Sequence, residues 1–169
     1  MPHYPNISYA ISTATLYTLL LIVPLIIGLF HQLILKPKNI LTIYTNYYIG
    51  FNITLSSLFI ACAYIFNSQS MAKIQNWPYS PMFIEYGILQ AAICIISLIS
   101  LWKNCQFKSA VVGFYSIYLL FFSTLQLIQV THASSNYESS QLVELIYSLM
   151  LCVILIIFYR RLNKTNLNS

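Results

Sequence analysis

Five long apolar runs, at about 9–35, 41–66, 81–102, 108–131 and 138–159, divide this chain, with short polar breaks between them. A helix that crosses the hydrocarbon layer of a membrane needs about 20 mostly apolar residues, since that layer is about 30 Å thick and each residue rises about 1.5 Å. Every run passes this test. Lipid supplies no water to a bare peptide group, so each run must satisfy its own backbone and be helical. The many Ile, Tyr and Thr residues would favour strands in water, but here the solvent decides. Composition agrees: 7% of the 169 residues are charged, against about 25% in soluble domains. So few charges cannot coat a soluble globule, which excludes a soluble enzyme, a disordered tail and a disulfide-stapled secreted module. The expected fold is all-α and membrane-integral. It is a single domain over residues 1–169, an antiparallel bundle of five transmembrane helices built as a four-helix bundle plus an N-terminal helix.

The breaks carry ordinary stop and start signals. Lys36-Pro37-Lys38-Asn39 ends the first run, and Lys103-Asn104-Cys105-Gln106 separates the third from the fourth. The longer break, Asn67 to Ser80, reads as a loop. Ser80-Pro81 reads as N-cap and first helical position of the third helix. Ser135-x-x-Glu138 reads as a capping box for the fifth. Pro24 is expected to kink the first helix. That helix is preceded by no Lys or Arg, and its apolar core is too long for a cleavable signal peptide. No internal repeat or low-complexity tract is visible.

Seven cations (Lys36, Lys38, Lys103, Lys108, Arg160, Arg161, Lys164) fall on one side of a five-crossing topology, and only Lys73 falls on the other. The positive-inside rule then places the N-terminus outside and the C-terminus inside the cytoplasmic membrane. This asymmetry accounts for the net charge of +5. No basic, aromatic-studded face supports a nucleic-acid partner. The partners expected are membrane lipids and, beyond them, further copies of the chain or a membrane complex.

Polar residues inside the runs recur at helical spacing. Tyr48, Asn52 and Ser56 share a face on the second helix. Glu85, Tyr86, Gln90 and Ser97 form a strip on the third, and Tyr115, Tyr118, Phe122, Gln126 and Gln129 one on the fourth. Glu144, Tyr147 and Ser148 cluster on the fifth. Such faces either bond to one another in the interior or line a cavity. Small pairs at Ser57/Ala61, Gly87/Ala91 and Ser109/Gly113 suit close helix contacts. The two carboxylates within spans are the most informative residues, because a charge there costs roughly 3 kcal/mol on insertion scales. Glu85 fits a helix N-terminus. Glu144 is deeper, and must be protonated, held by Tyr and Gln donors, or paired with His132.

No cofactor and no metal is expected. Glu85, Glu144 and His132 share the outer half of the membrane, but none of their spacings is a ligand motif. His31 lies at the opposite end from His132, so the two cannot clamp a haem, and His31 reads as an interface residue. The four cysteines form no C-x-x-C pair, and no disulfide is expected. The chain has no Asp, no G-x-S-x-G and no phosphate-cradling glycine loop, so catalytic templates are poorly served.

The stretch Trp77-Pro78-x-Ser80-Pro81-x-x-x-Glu85-x-Gly87 resembles a family of small bacterial inner-membrane proteins of unknown function, grouped with DoxX-like four-helix bundles. The resemblance covers about 47–159 and leaves the first helix as an addition. It departs from the family at Met82-Phe83, where the family has Phe-Gln. It also departs at Ala63-Tyr64 and Leu125-Gln126, which stand where the family has Gly-His pairs. The resulting expectation is a non-catalytic bundle whose polar interior, with Glu85, Gln90, Gln126, Glu144, Tyr64 and Asn52 as candidate ligand-binding residues, is structural or holds a small ligand. The alternatives are a lipid- or quinone-handling membrane enzyme or redox accessory, and a carrier or channel subunit.

Overall fold

A computed structural model describes residues 7–35, 40–74, 78–132 and 139–167, which are helical almost throughout, with no strand among them. Helix α1 runs Ile7–Leu35, α2 Ile40–Tyr48, α3 Ser56–Phe66, α4 Ser68–Ile74, α5 Met82–Ser100, α6 Cys105–His132 and α7 Ser139–Leu167. A π-helical segment, Ile49–Leu55, joins α2 to α3, so Ile40 to Phe66 forms one apolar rod. With that rod counted once, five helices are long and apolar enough to cross a membrane.

Burial is inverted relative to a soluble protein. Phe59, Phe121, Leu33 and Val153 are exposed, while Asn52, Gln90, Ser57, Ser97, Ser123 and Ser148 are buried. Water would drive the apolar groups inward. Lipid tails accept them on the outside, and helices then grip through small residues and hydrogen bonds. The chain is a multi-pass membrane protein. An apolar centre remains around Tyr48, Ile49, Ile53, Val112, Leu151 and Leu155.

Specific contacts set the helix order. Helices α6 and α7 run antiparallel in a register fixed by Ser109 Oγ donating to Asn163 Oδ1 at 2.7 Å and by Ser123 and Ser148 hydroxyls 2.8 Å apart. Between these, the Gly113 backbone lies under the Tyr159 ring, only 3.0 Å from where a Cβ would sit. Helix α3 packs on α5, with Gly87 beneath Ile65, and a Cβ there would lie 2.8 Å from Ile65 Cγ1. The Thr54 and Ser97 hydroxyls, 2.8 Å apart, tie the π segment to α5. Helix α1 lies against α2 and α7.

Helix boundaries follow their caps. Asn104 Oδ1 accepts the Phe107 amide at 3.0 Å, which starts α6 three residues earlier than the expected 108. Helix α5 starts one residue later than expected, at Met82, with Pro81 and not Ser80 at the N-cap position; Ser80 Oγ accepts the Met82 amide at 3.3 Å. Helix α7 continues two turns past the expected 159, because Leu162 is buried and Asn163 bonds to Ser109 on the lengthened α6. The expected loop after Asn67 contains α4, whose Ala72 packs with Tyr64 and Phe83. Helix α1 is assigned without interruption through the buried Pro24. The capping box at Ser135 and the Lys36–Asn39 break lie outside the described residues.

Candidate functional site

Gln90 sits at the centre of the polar interior. Tyr86 and Gln90 are one turn apart on α5 and share a face. Tyr118 comes from α6. Gln90 Nε2 donates to Tyr86 Oη at 2.9 Å and to Tyr118 Oη at 2.6 Å, and the two hydroxyls are themselves 2.9 Å apart. Gln90 is 1% exposed, yet its Oε1 has no hydrogen-bond partner. Turning the amide over would only move the vacancy to the other end. Tyr64, on α3, meets Tyr86 edge-on at 4.9 Å and stacks on Phe83 at 5.9 Å. The Tyr118 ring continues the aromatic wall to Tyr115 at 5.5 Å and Phe122 at 6.1 Å.

Asn52 enters the same interior from the π segment. Its side chain is fully buried, and Oδ1 accepts from Tyr147 Oη of α7 at 2.9 Å, while Nδ2 has no partner. A π turn widens the helix and loosens its hydrogen-bond ladder, and such turns recur at functional positions. The Asn52 carbonyl takes the Ser56 hydroxyl as a donor.

Glu144 is the third component. Tyr17 from α1 and Gln126 from α6 hydrogen-bond to its carboxyl group. The Tyr17 ring stacks on Tyr147 at 4.4 Å, which links Glu144 to the Asn52 pair. Gln126 Oε1 is buried without a partner. Tyr and Gln donors therefore hold Glu144. The His132 side chain and Glu138 lie outside the described residues. Tyr17 was not among the sequence candidates, because α1 reads as an addition outside the resemblance.

Glu85 does not join this group. It is exposed on the first turn of α5, and five residues at 100° each place it about 140° around the helix from Gln90. The strip on α5 is made by Tyr86, Gln90 and Ser97. Within the motif that carried the resemblance, Ser80 accepts the first amide of α5 and Gly87 admits α3, while Trp77 lies outside the described residues.

His31 is tied inward: its Nδ1 lies 2.8 Å from Tyr47 Oη, and Tyr44 Oη donates to Gln32 Oε1 at 3.4 Å, so these pairs join α1 to α2. Among the described residues no group of three or more His, Cys, Asp or Glu side chains converges on a metal geometry. All four cysteines are free thiols.

The arrangement offers aromatic walls, hydroxyls and unmatched amide ends in a lipid-surrounded core. It suits binding by hydrogen bonding and stacking. A membrane-embedded helical bundle with this interior is the class the fold defines. A family model for a family of unknown function, DUF6790, matches residues 14–167, and the chain belongs to that family. No curated protein and no solved structure matches the chain.

Proposed function

We propose that the bundle is a non-catalytic membrane protein that binds a small ligand carrying both donor and acceptor groups, between α5, α6, α7 and the π segment. The observation that carries this reading is the set of unmatched amide ends on Asn52, Gln90 and Gln126. A buried polar atom left unpaired costs about 1–3 kcal/mol, and native interiors usually fill such vacancies with water or a bound group. Here they come from three different helical segments around one aromatic wall. The likeness of the Trp77–Gly87 stretch to DoxX-like bundles supports a compact helical scaffold of this kind. The one-sided distribution of Lys and Arg supports a cytoplasmic membrane with N-terminus outside and C-terminus inside. Lipids are the proposed surrounding partners, with assembly of several copies compatible with the apolar outer surface.

Native mass spectrometry on protein released from nanodiscs tests the reading. The wild type is expected to carry a small molecule that an Asn52→Leu/Gln90→Leu variant of equal helicity lacks. Identical masses for both proteins, beyond bound lipid, would show the vacancies to be filled by water and would end the proposal.

A further inference from the structure

From Gln90 to its end, helix α5 carries a buried hydroxyl stripe. Gln90, Cys94 and Ser97 fall within about 60° of one another at 100° per residue, and Ser100 follows three residues on. Gln90 is 1% exposed, and both serines are fully buried. The facing rod supplies Thr54 and Ser57. The Thr54 and Ser97 hydroxyls are in contact, Ser97 Oγ donates to the Cys94 carbonyl at 2.9 Å, and Ser100 Oγ donates to the Ser97 carbonyl at 2.6 Å. Ser57 differs. It lies two turns before Tyr64 and about 20° from it, hence on the α3 face that meets Phe83 and Tyr86 of α5. It is fully buried, and its Oγ has no hydrogen-bond partner.

The two ends of this seam are unlike. Toward the start of α5 apolar packing shuts it: Tyr64, Ala72 and Phe83 form a buried cluster, and Ile65 covers Gly87, 2.8 Å from where a Cβ would sit. Toward Ser100 it is lined by hydroxyls. Close helix contact asks only for small residues, and alanine would serve it without burying an unmatched hydroxyl. The ten residues from Gln90 to Ser100 rise about 15 Å, half the hydrocarbon thickness of about 30 Å.

Given the ligand site proposed above, we infer that this seam is its entrance: an uncharged, water-soluble solute reaches Gln90 from the Ser100 end, between α5 and the rod, and not from the lipid. The Thr54–Ser97 contact sets Ser57 level with Cys94, three residues on along each antiparallel helix. The open Ser57 hydroxyl thus stands between the mouth and Gln90, where it offers a donor and an acceptor to the solute or to water travelling with it. The amides and hydroxyls of the seam are neutral, and an ion carried this far without a counter-charge is strongly disfavoured. The ligand class is therefore small polar molecules with hydrogen-bonding groups of both kinds, as distinct from membrane lipids.

The protein carries its own reporters. Cys94 lies in the seam, Cys152 is buried in the apolar centre, and Cys105 opens α6. Iodoacetamide, which is small, neutral and water-soluble, alkylates thiolates, and burial in apolar surroundings suppresses these. Wild-type protein in nanodiscs is treated with it, and peptide mass spectrometry follows each thiol. Cys94 is expected to react at least about tenfold faster than Cys152. Ser97→Leu, which fills the seam between Ser100 and Cys94, is expected to slow Cys94 to the pace of Cys152 and to leave Cys105 unchanged. Cys94 as slow as Cys152 in the wild type would overturn the entrance, and so would an unchanged Cys94 rate in Ser97→Leu. The ligand reading fails separately, on equal masses for wild type and Asn52→Leu/Gln90→Leu; if those masses differ while Cys94 stays inert, the ligand enters from the lipid and is not of this class.

Discussion

Two interior side chains, Gln90 and Glu144, separate the cost of a vacancy from the value of a bond. Gln90→Leu removes two amide donations worth about 1 kcal/mol each, but also removes an unmatched carbonyl whose burial costs about 1–3 kcal/mol. The Tyr86 and Tyr118 hydroxyls keep each other as partners. Thermal unfolding in detergent should therefore find Gln90→Leu within about 1 kcal/mol of wild type. Glu144 behaves differently. Glu144→Leu removes the acceptor that the Tyr17 hydroxyl and the Gln126 amide share and leaves the buried Gln126 amide with neither end matched, and should cost about 2–3 kcal/mol. Glu144→Gln keeps an acceptor in place and should cost less than about 1 kcal/mol. Equal losses for the two Glu144 variants would show that the charge, and not its hydrogen bonds, matters to the fold.

Among the elements, the α2–π–α3 rod and the α3–α5 seam make opposite demands on glycine. At Gly50, in the π segment, a Cβ would meet nothing within 4 Å. Gly50→Ala should thus stabilise the protein by about 0.4–1 kcal/mol, through the lower entropy of the unfolded chain. At Gly87 the added carbon would press on Ile65 Cγ1 and on the Ile65 backbone nitrogen at 3.1 Å. Gly87→Ala should cost about 1–3 kcal/mol, the range for overpacked cores. A pair of Tm measurements checks both signs at once. The spacing Gly87/Ala91 already suggested a close seam, but the π segment left almost no trace in the sequence. Residues 49–55 lie inside a continuous apolar run, and one widened turn changes no hydropathy. The face of Glu85 was recoverable from angular arithmetic, because 100° per residue separates it from Gln90. Spacing alone grouped them, since both are polar and near each other in sequence.

For the whole molecule, the five spans were legible because hydropathy along a membrane chain is a one-dimensional signal set by lipid thickness. All five expected starts lie within three residues of the helix starts, and four of the five ends within two; the end of α7 is the exception. What escaped depended on three-dimensional partners. Helix α4 forms because Ala72 finds Tyr64 and Phe83. Helix α7 extends because Asn163 finds Ser109. Tyr17 completes the Glu144 cluster from a helix that the resemblance set aside. The proposed sidedness, with the N-terminus outside and the C-terminus inside, rests on the one-sided distribution of the cations. Maleimide labelling of intact cells, with single cysteines at the exposed positions Lys73→Cys and Lys103→Cys in a chain lacking Cys62, Cys94, Cys105 and Cys152, tests it most directly. An impermeant reagent should modify the first freely and the second only after the membrane is opened; modification of both from the same side would contradict the account.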